Sequence, residues 1–366
     1  TVNLPHRSSE AFFLPEIRSL LALGHKVILV PRSPSGPLVH GSSLLPHSVR
    51  RAMFSPSVIL RAILVFFRQP RAVLASLACI TRSRSLPVAI KNLAVVPKAL
   101  WLSDLARELN ADHIHSQWAS TTATMAMIAS RLSGIPWGFT AHRGDIVENN
   151  LLDLKASTAA FARFTSEAGI RLARARGLLT HSNLLLLHMG VDVPPSAQWR
   201  PPSAHVLLCP ARLSPVKGHA CLLRALRLLL DRGLPIQLLL AGEGESLHSL
   251  QSLTRELGLD GTVRFLGALP HTELLDLYRQ SAVSAVVLPS LDLGHGFHEG
   301  IPVALIEAMS HAVPVVATDT GADAELVLPG TGLLVPPADS HALAAAIESL
   351  LSHPETAARF GRTGRL

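Results

Sequence analysis

The feature that most narrows the fold is a rhythm in the second half of the chain. Short apolar runs alternate with longer amphipathic stretches: HVLLCP then HACLLRALRLLLDRG, IQLLLAG then ESLHSLQSLTRELG, TVRFLG then a helical stretch near 271–280, SAVVLP then the helix after Pro302, PVVAT then HALAAAIESLL. Apolar runs without polar alternation suit strands buried on both faces, and strand–helix alternation of this length is what a doubly wound parallel sheet requires. The first half carries a looser version. Helix EAFFLPEIRSLLALG follows Ser8 and Ser9 and stops at Gly24, HKVILV reads as a buried strand, and 48–109 reads as several helices separated by Pro70 and Pro87. Strand HIH (113–115), helix ASTTATMAMIASRLSG and strand WGFTAH continue the alternation to about residue 180.

Between the halves, HMGVDVPPSAQWRPPS holds four prolines in two pairs, a linker composition. At 366 residues the chain is too long for one ordinary core. The expected architecture is therefore α/β: two Rossmann-like, doubly wound domains facing each other across a cleft, spanning 1–190 and 205–366 with a hinge at 191–204. Ligands of such folds sit beyond the carboxyl ends of the strands, here in the cleft.

Charge divides the chain unevenly. From Ile17 to Ser103 there is no aspartate or glutamate but twelve lysines and arginines, so this span is +12 and the net +7 leaves −5 for the rest. Basic residues interleaved with apolar ones read as a surface for an anionic membrane or an acidic polymer, or as ordinary solvated helix surface. Aromatic residues are 4% and zinc-finger spacing is absent, so no nucleic-acid partner is expected. No apolar run reaches the roughly 18–20 residues of a membrane span; VILRAILVFFRQP is interrupted by Arg61. Cys79, Cys209 and Cys221 have no metal-like spacing and fit a reduced compartment. The expected location is cytoplasmic, with a peripheral place on the inner face of the cell membrane.

The chemistry concentrates in three stretches. HEGIPVALIEAM puts Glu299 just before a helix that starts near Pro302, and Glu307 inside it. Backbone N–H groups following Gly300 can face an anion. ARLSPVKG puts Arg212 at a strand end and Lys217 five residues on, where two cations suit a diphosphate. LLLAGEGE runs a strand into Gly242 and Gly244, but Leu247 stands where the dinucleotide fingerprint has its third glycine, which argues against NAD. His113 and His115 share one face of a strand, too few for a zinc site. Taken singly, each stretch also reads as surface charge or a capped helix.

Together, ARLSPVKG, LLLAGEGE, VRFLG, SAVSAVVLPS, HEGIPVALIEAM, PVVATDTGADAELV and TGLLVPPAD, preceded by DHIHSQWA, GIPWGFTAHRGDI and HMGVD, resemble the retaining glycosyltransferases of family 4, which have the GT-B fold. The resemblance covers about 111–363 well and 1–110 loosely. It implies a metal-independent, retaining hexosyltransferase that moves a sugar from a nucleotide-diphosphate sugar to a lipid-linked or polysaccharide acceptor in glycan or exopolysaccharide biosynthesis. It also implies roles. Arg212 and Lys217 neutralise the departing diphosphate, where a metal acts in other glycosyltransferases. Gly242, Gly300 and Ile301 line the donor phosphates. Glu307, the second glutamate of the E-x7-E motif, holds the ribose. Glu299, the first, contacts the donor sugar, and His142 in FTAHRGD meets it from the other domain. Cofactor and metal are both expected to be absent.

The chain departs from the family in places. PHRSSE replaces a glycine-rich first loop, leaving Ser8 and Ser9 as substitutes; Gln117 stands where one branch has a second histidine; Ala312 takes a position that is usually glycine. The first strand reads as cut short, and the last cross-over helix as missing. Two other classes stay open: a GT-B sugar epimerase or phosphorylase, and a non-catalytic nucleotide- or glycan-binding relative.

Overall fold

The computed structural model describes residues 1–6, 10–36, 38, 44–179, 183–294 and 298–366. Ser8 and Ser9, with the helix-capping and phosphate-binding roles considered for them, lie outside the described residues. The chain divides into two compact units, Thr1–His188 and Met189–Leu366.

The first unit begins with α1 (Leu14–Ala22) and continues through α2 (Pro56–Arg68), α3 (Pro70–Ile80), α4 (Leu86–Ala94) and α5 (Val96–Glu108). All five of these helices carry proline in the first helical turn, at Pro15, Pro56, Pro70, Pro87 and Pro97, where its missing N–H is no loss. Then come β1 (Ile114–Ser116), α6 (Thr121–Ser133), β2 (Trp137–Ala141), α7 (Arg143–Glu148), α8 (Leu152–Thr158), β3 (Phe161–Phe164), α9 (Glu167–Ala175) and β4 (Leu184–Leu186). The four strands pair in sequence order, all parallel.

HKVILV does not form the strand expected of it. Among the described residues, only Leu29 of this stretch forms a bridge, to Ser48, its N–H donating to the His47 carbonyl at 2.6 Å and its carbonyl accepting from Val49 at 2.9 Å. Pro31, Pro34 and Pro37 follow HKVILV and Pro46 precedes its partner Ser48, and proline cannot donate to a ladder.

The acid-free stretch is less bare than its composition implies. Two of its arginines find carboxylates just past its end: Arg61 meets Glu108 at 2.8 Å and Arg68 meets Asp104 at 3.7 Å, both on α5, against which α2 packs. Lys98 is fully buried and donates to the carbonyls of Pro31, Arg32 and Arg51, at 2.5, 3.0 and 2.6 Å. Burial, aided by Arg32, pulls its pKa down to about 8. This lysine holds two loops to a helix and contributes no surface charge.

The second unit follows the expected alternation: β5 (His205–Pro210), α10 (His219–Asp231), β6 (Ile236–Ala241), α11 (Leu247–Glu256), β7 (Val263–Gly267), α12 (His271–Arg279), β8 (Ala285–Leu288), α13 (Val303–Ser310), β9 (Val315–Thr318), β10 (Leu333–Val335), α14 (Ser340–Ser352) and α15 (Pro354–Arg365). The sheet is parallel, in the order β10-β9-β8-β5-β6-β7. From β5 the chain moves outward through β6 and β7, then returns to the other side of β5 as β8. The strand order therefore reverses between β5 and β8. Leu207, Leu208, Val286, Val287, Val315 and Val316 have almost no exposure, as strands covered on both faces must. The proline-rich stretch packs on this unit: Trp199 is buried and its Nε1 donates to the Val283 carbonyl at 2.8 Å.

Candidate active site

Four loops leave the carboxyl ends of β5, β6, β8 and β9, and the predicted charges sit on them. Arg212 and Lys217 follow β5, Gly242 follows β6, and Glu299, Gly300 and Ile301 lie between β8 and α13. Backbone contacts stitch the loops together. Leu291 N–H donates to the Val216 carbonyl at 2.7 Å, and Leu213 N–H to the Glu243 carbonyl at 3.0 Å. Glycine is required where the loops approach most closely. A Cβ on Gly242 would lie 2.0 Å from the Ala211 carbonyl oxygen, and one on Gly321, at φ +61°, would lie 1.9 Å from the Glu299 carbonyl oxygen.

Within this frame Lys217 Nζ and Glu299 Oε1 are 2.8 Å apart, with side chains only 20% and 14% exposed. The pair spans the reversal between β5 and β8, the place where open parallel sheets bind ligands. Two other predicted residues find partners that sequence reasoning did not name. Arg212 pairs with Glu245 at 3.0 Å on the surface, and Glu307 with His271 Nε2 at 2.8 Å. Glu307 lies in α13, whose N-cap is Pro302, and Ile301 is buried just ahead of it. Gly300 is half-buried.

A third carboxyl joins the site. Asp323 is completely buried in the loop after β9, and Thr320 Oγ1 donates to its Oδ2 at 3.2 Å. Burial first, and the charge of Glu299 second, push its pKa up to about 8, so it holds a proton at neutral pH. His219, directly after Gly218, is buried; burial and the neighbouring Lys217 pull it down to about 4. Nothing in the spacing of TDTGADAELV or PVKGHA marks these two as site residues; their roles arise from burial.

His142 belongs to the first unit, at the carboxyl end of β2 and the N-cap of α7, where its N–H donates to Asp145 Oδ2 at 3.0 Å. Its ring is enclosed by Trp118, Phe13 and Phe12, with centroids at 4.6, 5.6 and 5.8 Å. Burial, reinforced by Arg163, lowers its pKa to about 4, leaving a neutral imidazole. Trp118 is held in turn by Glu10, whose carboxylate accepts its Nε1–H at 2.8 Å and also the backbone N–H groups of Val2, Asn3 and Leu4. Gln117 Nε2 reaches Glu16 at 3.3 Å. His113 and His115 stack on Phe161, with centroids at 5.3 and 5.6 Å, and His115 Nε2 lies 3.0 Å from Thr140 Oγ1, a packing arrangement.

Ala312 follows α13 at φ +59°, so alanine does occupy a left-handed position there.

Residues 197–366 match the family model "Glycosyl transferases group 1". The chain is 36% identical over 162 residues to a GDP-mannose-dependent alpha-(1-6)-phosphatidylinositol monomannoside mannosyltransferase of Mycolicibacterium smegmatis, a stretch covering 44% of this chain and 42% of that relative. The match thus spans less than half of that enzyme's length. A longer alignment, 28% identical over 310 residues and covering 77% of each chain, joins it to a Bacillus subtilis protein bearing the name glycosyltransferase EpsD. Among solved structures, sucrose-phosphate synthase of Thermosynechococcus elongatus superposes with a TM-score of 0.73 at 21% identity, covering all of this chain and 90% of that one. The fold class is GT-B, with two parallel-sheet units.

Proposed function

We propose, from the match of residues 197–366 to the glycosyl transferases group 1 family model, that the chain is a metal-independent, retaining hexosyltransferase using a nucleotide-diphosphate sugar. The observation that carries the reading is the Lys217–Glu299 pair at the sheet's reversal point. The lysine offers a cation for the donor diphosphate, and the glutamate a carboxylate for the donor sugar. Arg212 adds a second cation once the phosphates displace Glu245, with backbone at Gly242, Gly300 and Ile301 close to the phosphates. Glu307, held by His271, is a carboxylate for the two ribose hydroxyls. His142, neutral and boxed by aromatic rings, can exchange hydrogen bonds with a sugar without placing a cation beside a developing positive charge.

The reaction follows from these parts. The anomeric carbon's bond to the diphosphate oxygen breaks as Lys217 and Arg212 take up the growing negative charge. The acceptor hydroxyl forms its bond to that carbon on the same face, and its proton passes to the departing phosphate oxygen. Glu299 stabilises the oxocarbenium character between the two events. Acceptors are lipid-linked or polysaccharide, a reading supported by the lipid acceptor named for the mycobacterial relative. The same proposal makes 1–190 the acceptor-side domain, 205–366 the donor-side domain and 191–204 a hinge. It also places the protein in the cytoplasm, meeting its acceptor at the inner face of the membrane through the basic 17–103 region.

The test is product stereochemistry. Incubation with a nucleotide α-sugar and a lipid-linked acceptor in the presence of EDTA should give an α-linked product by NMR. A β-linked product, or activity abolished by EDTA, would contradict the reading.

A further inference from the structure

Helix α2 is apolar on two opposite sides. Val58, Ala62 and Val65 are buried inside the first unit. Leu60, Ile63, Leu64 and Phe67 are 61%, 48%, 44% and 74% exposed. At 100° per residue the two sets point in opposite directions, so the second stripe faces away from the core. Helix α4 repeats the device with Leu86, Ile90 and Leu93, which are 73%, 57% and 48% exposed at i, i+4 and i+7. Helix α3 packs against both and adds Leu74, 57% exposed. Single exposed apolar residues need no explanation, but two helical stripes joined across a third helix do.

The charges around this face narrow what covers it. Arg71, Arg82 and Lys91 are exposed among the stripes, as is Arg68 beside Asp104 at 3.7 Å, and the sequence from 17 to 103 supplies no carboxylate. Against a second copy, a two-fold contact would bring these cations onto themselves, which is repulsive. An anionic bilayer offers the opposite match: headgroup charge for the cations and an acyl layer for the leucines and phenylalanine. Among the described residues no single helix is long and apolar enough to cross it. At 13 residues α2 is about 20 Å long against a core of about 30 Å, and α2 and α3 meet at 109°.

We propose that the outward face of α2, α3 and α4 docks in the plane of an anionic membrane, its apolar stripes inserted beneath the headgroups. This deepens the acceptor-surface part of the proposed function by naming the inserting residues, yet vesicle binding is read without donor or turnover. Failure here therefore leaves the glycosyl-transfer reading standing, and failure of transfer leaves this one standing.

The experiment is co-sedimentation of the full chain with vesicles of phosphatidylglycerol and phosphatidylcholine in equal parts, and with phosphatidylcholine alone. The wild type should bind the first and not the second. Replacing Leu60, Ile63, Leu64 and Phe67 together by Asn should weaken binding by about a hundredfold, and Leu86→Asn with Ile90→Asn should also weaken it. Arg71→Gln and Lys91→Gln should each weaken it by about fivefold. All these positions are exposed, and circular dichroism melts verify folding of each variant. Absence of binding to anionic vesicles, or equal binding by both apolar variants and wild type, would overturn the proposal. So would a wild-type dimer in sedimentation velocity that the Asn variants dissolve.

Discussion

Lys217 Nζ lies 2.8 Å from Glu299 Oε1, joining the loops that follow β5 and β8 where the order of the second sheet reverses. Neither side chain is well solvated, so each is the other's principal counter-charge. A donor diphosphate entering the site would take over the role of counter-ion to the lysine and release the glutamate toward the sugar.

The pair should therefore be energetically coupled. Lys217→Met and Glu299→Gln should each destabilise the protein by about 2 kcal/mol, because each leaves a poorly solvated charge behind. The double variant should cost about 1–2 kcal/mol less than the sum of the two. Urea unfolding of all four proteins gives the coupling directly, and additivity would mean that the contact contributes nothing.

Asp323 predicts a pH effect with a definite sign. Its folded pKa, raised by burial and then by Glu299 to about 8, lies above the ordinary 3.8, so the stability associated with its proton is present below about pH 4 and lost as pH rises toward 8. Asp323→Asn keeps the uncharged shape and escapes that loss. Its stability relative to wild type should rise with pH, by about 2 kcal/mol or more between pH 4 and 8. Parallel curves in a series of thermal melts would rule out a buried, protonated carboxyl.

Gly321 separates strain from collision. Gly233 has φ +79° with nothing near its absent Cβ, so Gly233→Ala should cost only about 1–2 kcal/mol of backbone strain. Gly321→Ala puts a Cβ 1.9 Å from the Glu299 carbonyl oxygen, so the loop carrying Glu299 must move. Nucleotide binding should fall in the second variant and not in the first; titration calorimetry on both decides.

Buried and surface cations of the basic stretch should behave differently. Lys98→Met strands three carbonyls and should cost about 3 kcal/mol. Arg61→Ala breaks an exposed pair with Glu108 and should cost less than about 1 kcal/mol. Equal losses would mean that Lys98 is not the clamp its three short hydrogen bonds imply.

How far these features were legible in the sequence differs between the units. In the second, HVLLCP, IQLLLAG, SAVVLP and PVVAT announce their strands because a strand covered on both faces leaves no room for polar residues. Arg212, Lys217, Glu299 and Glu307 were legible because short motifs fix the first three on strand-end loops and the last on α13. Their partners were not. Glu245 follows β6, His271 opens α12 and Asp323 follows β9, and only tertiary packing selects them from the remaining carboxylates and histidines. In the first unit, HKVILV has the composition of a strand, but strand formation needs a neighbour that its proline-rich surroundings do not offer. The charge count over 17–103 likewise missed Asp104 and Glu108, because a helix brings residues back to a neighbour that a linear window excludes.

The most direct test of the donor site is titration calorimetry of the full chain with ADP, GDP and UDP in EDTA, repeated on Lys217→Met and Glu307→Gln. One nucleotide should bind the wild type, and each substitution should weaken that binding by about thirtyfold or more. Binding left unchanged by both substitutions, or no binding of any of the three, would contradict this.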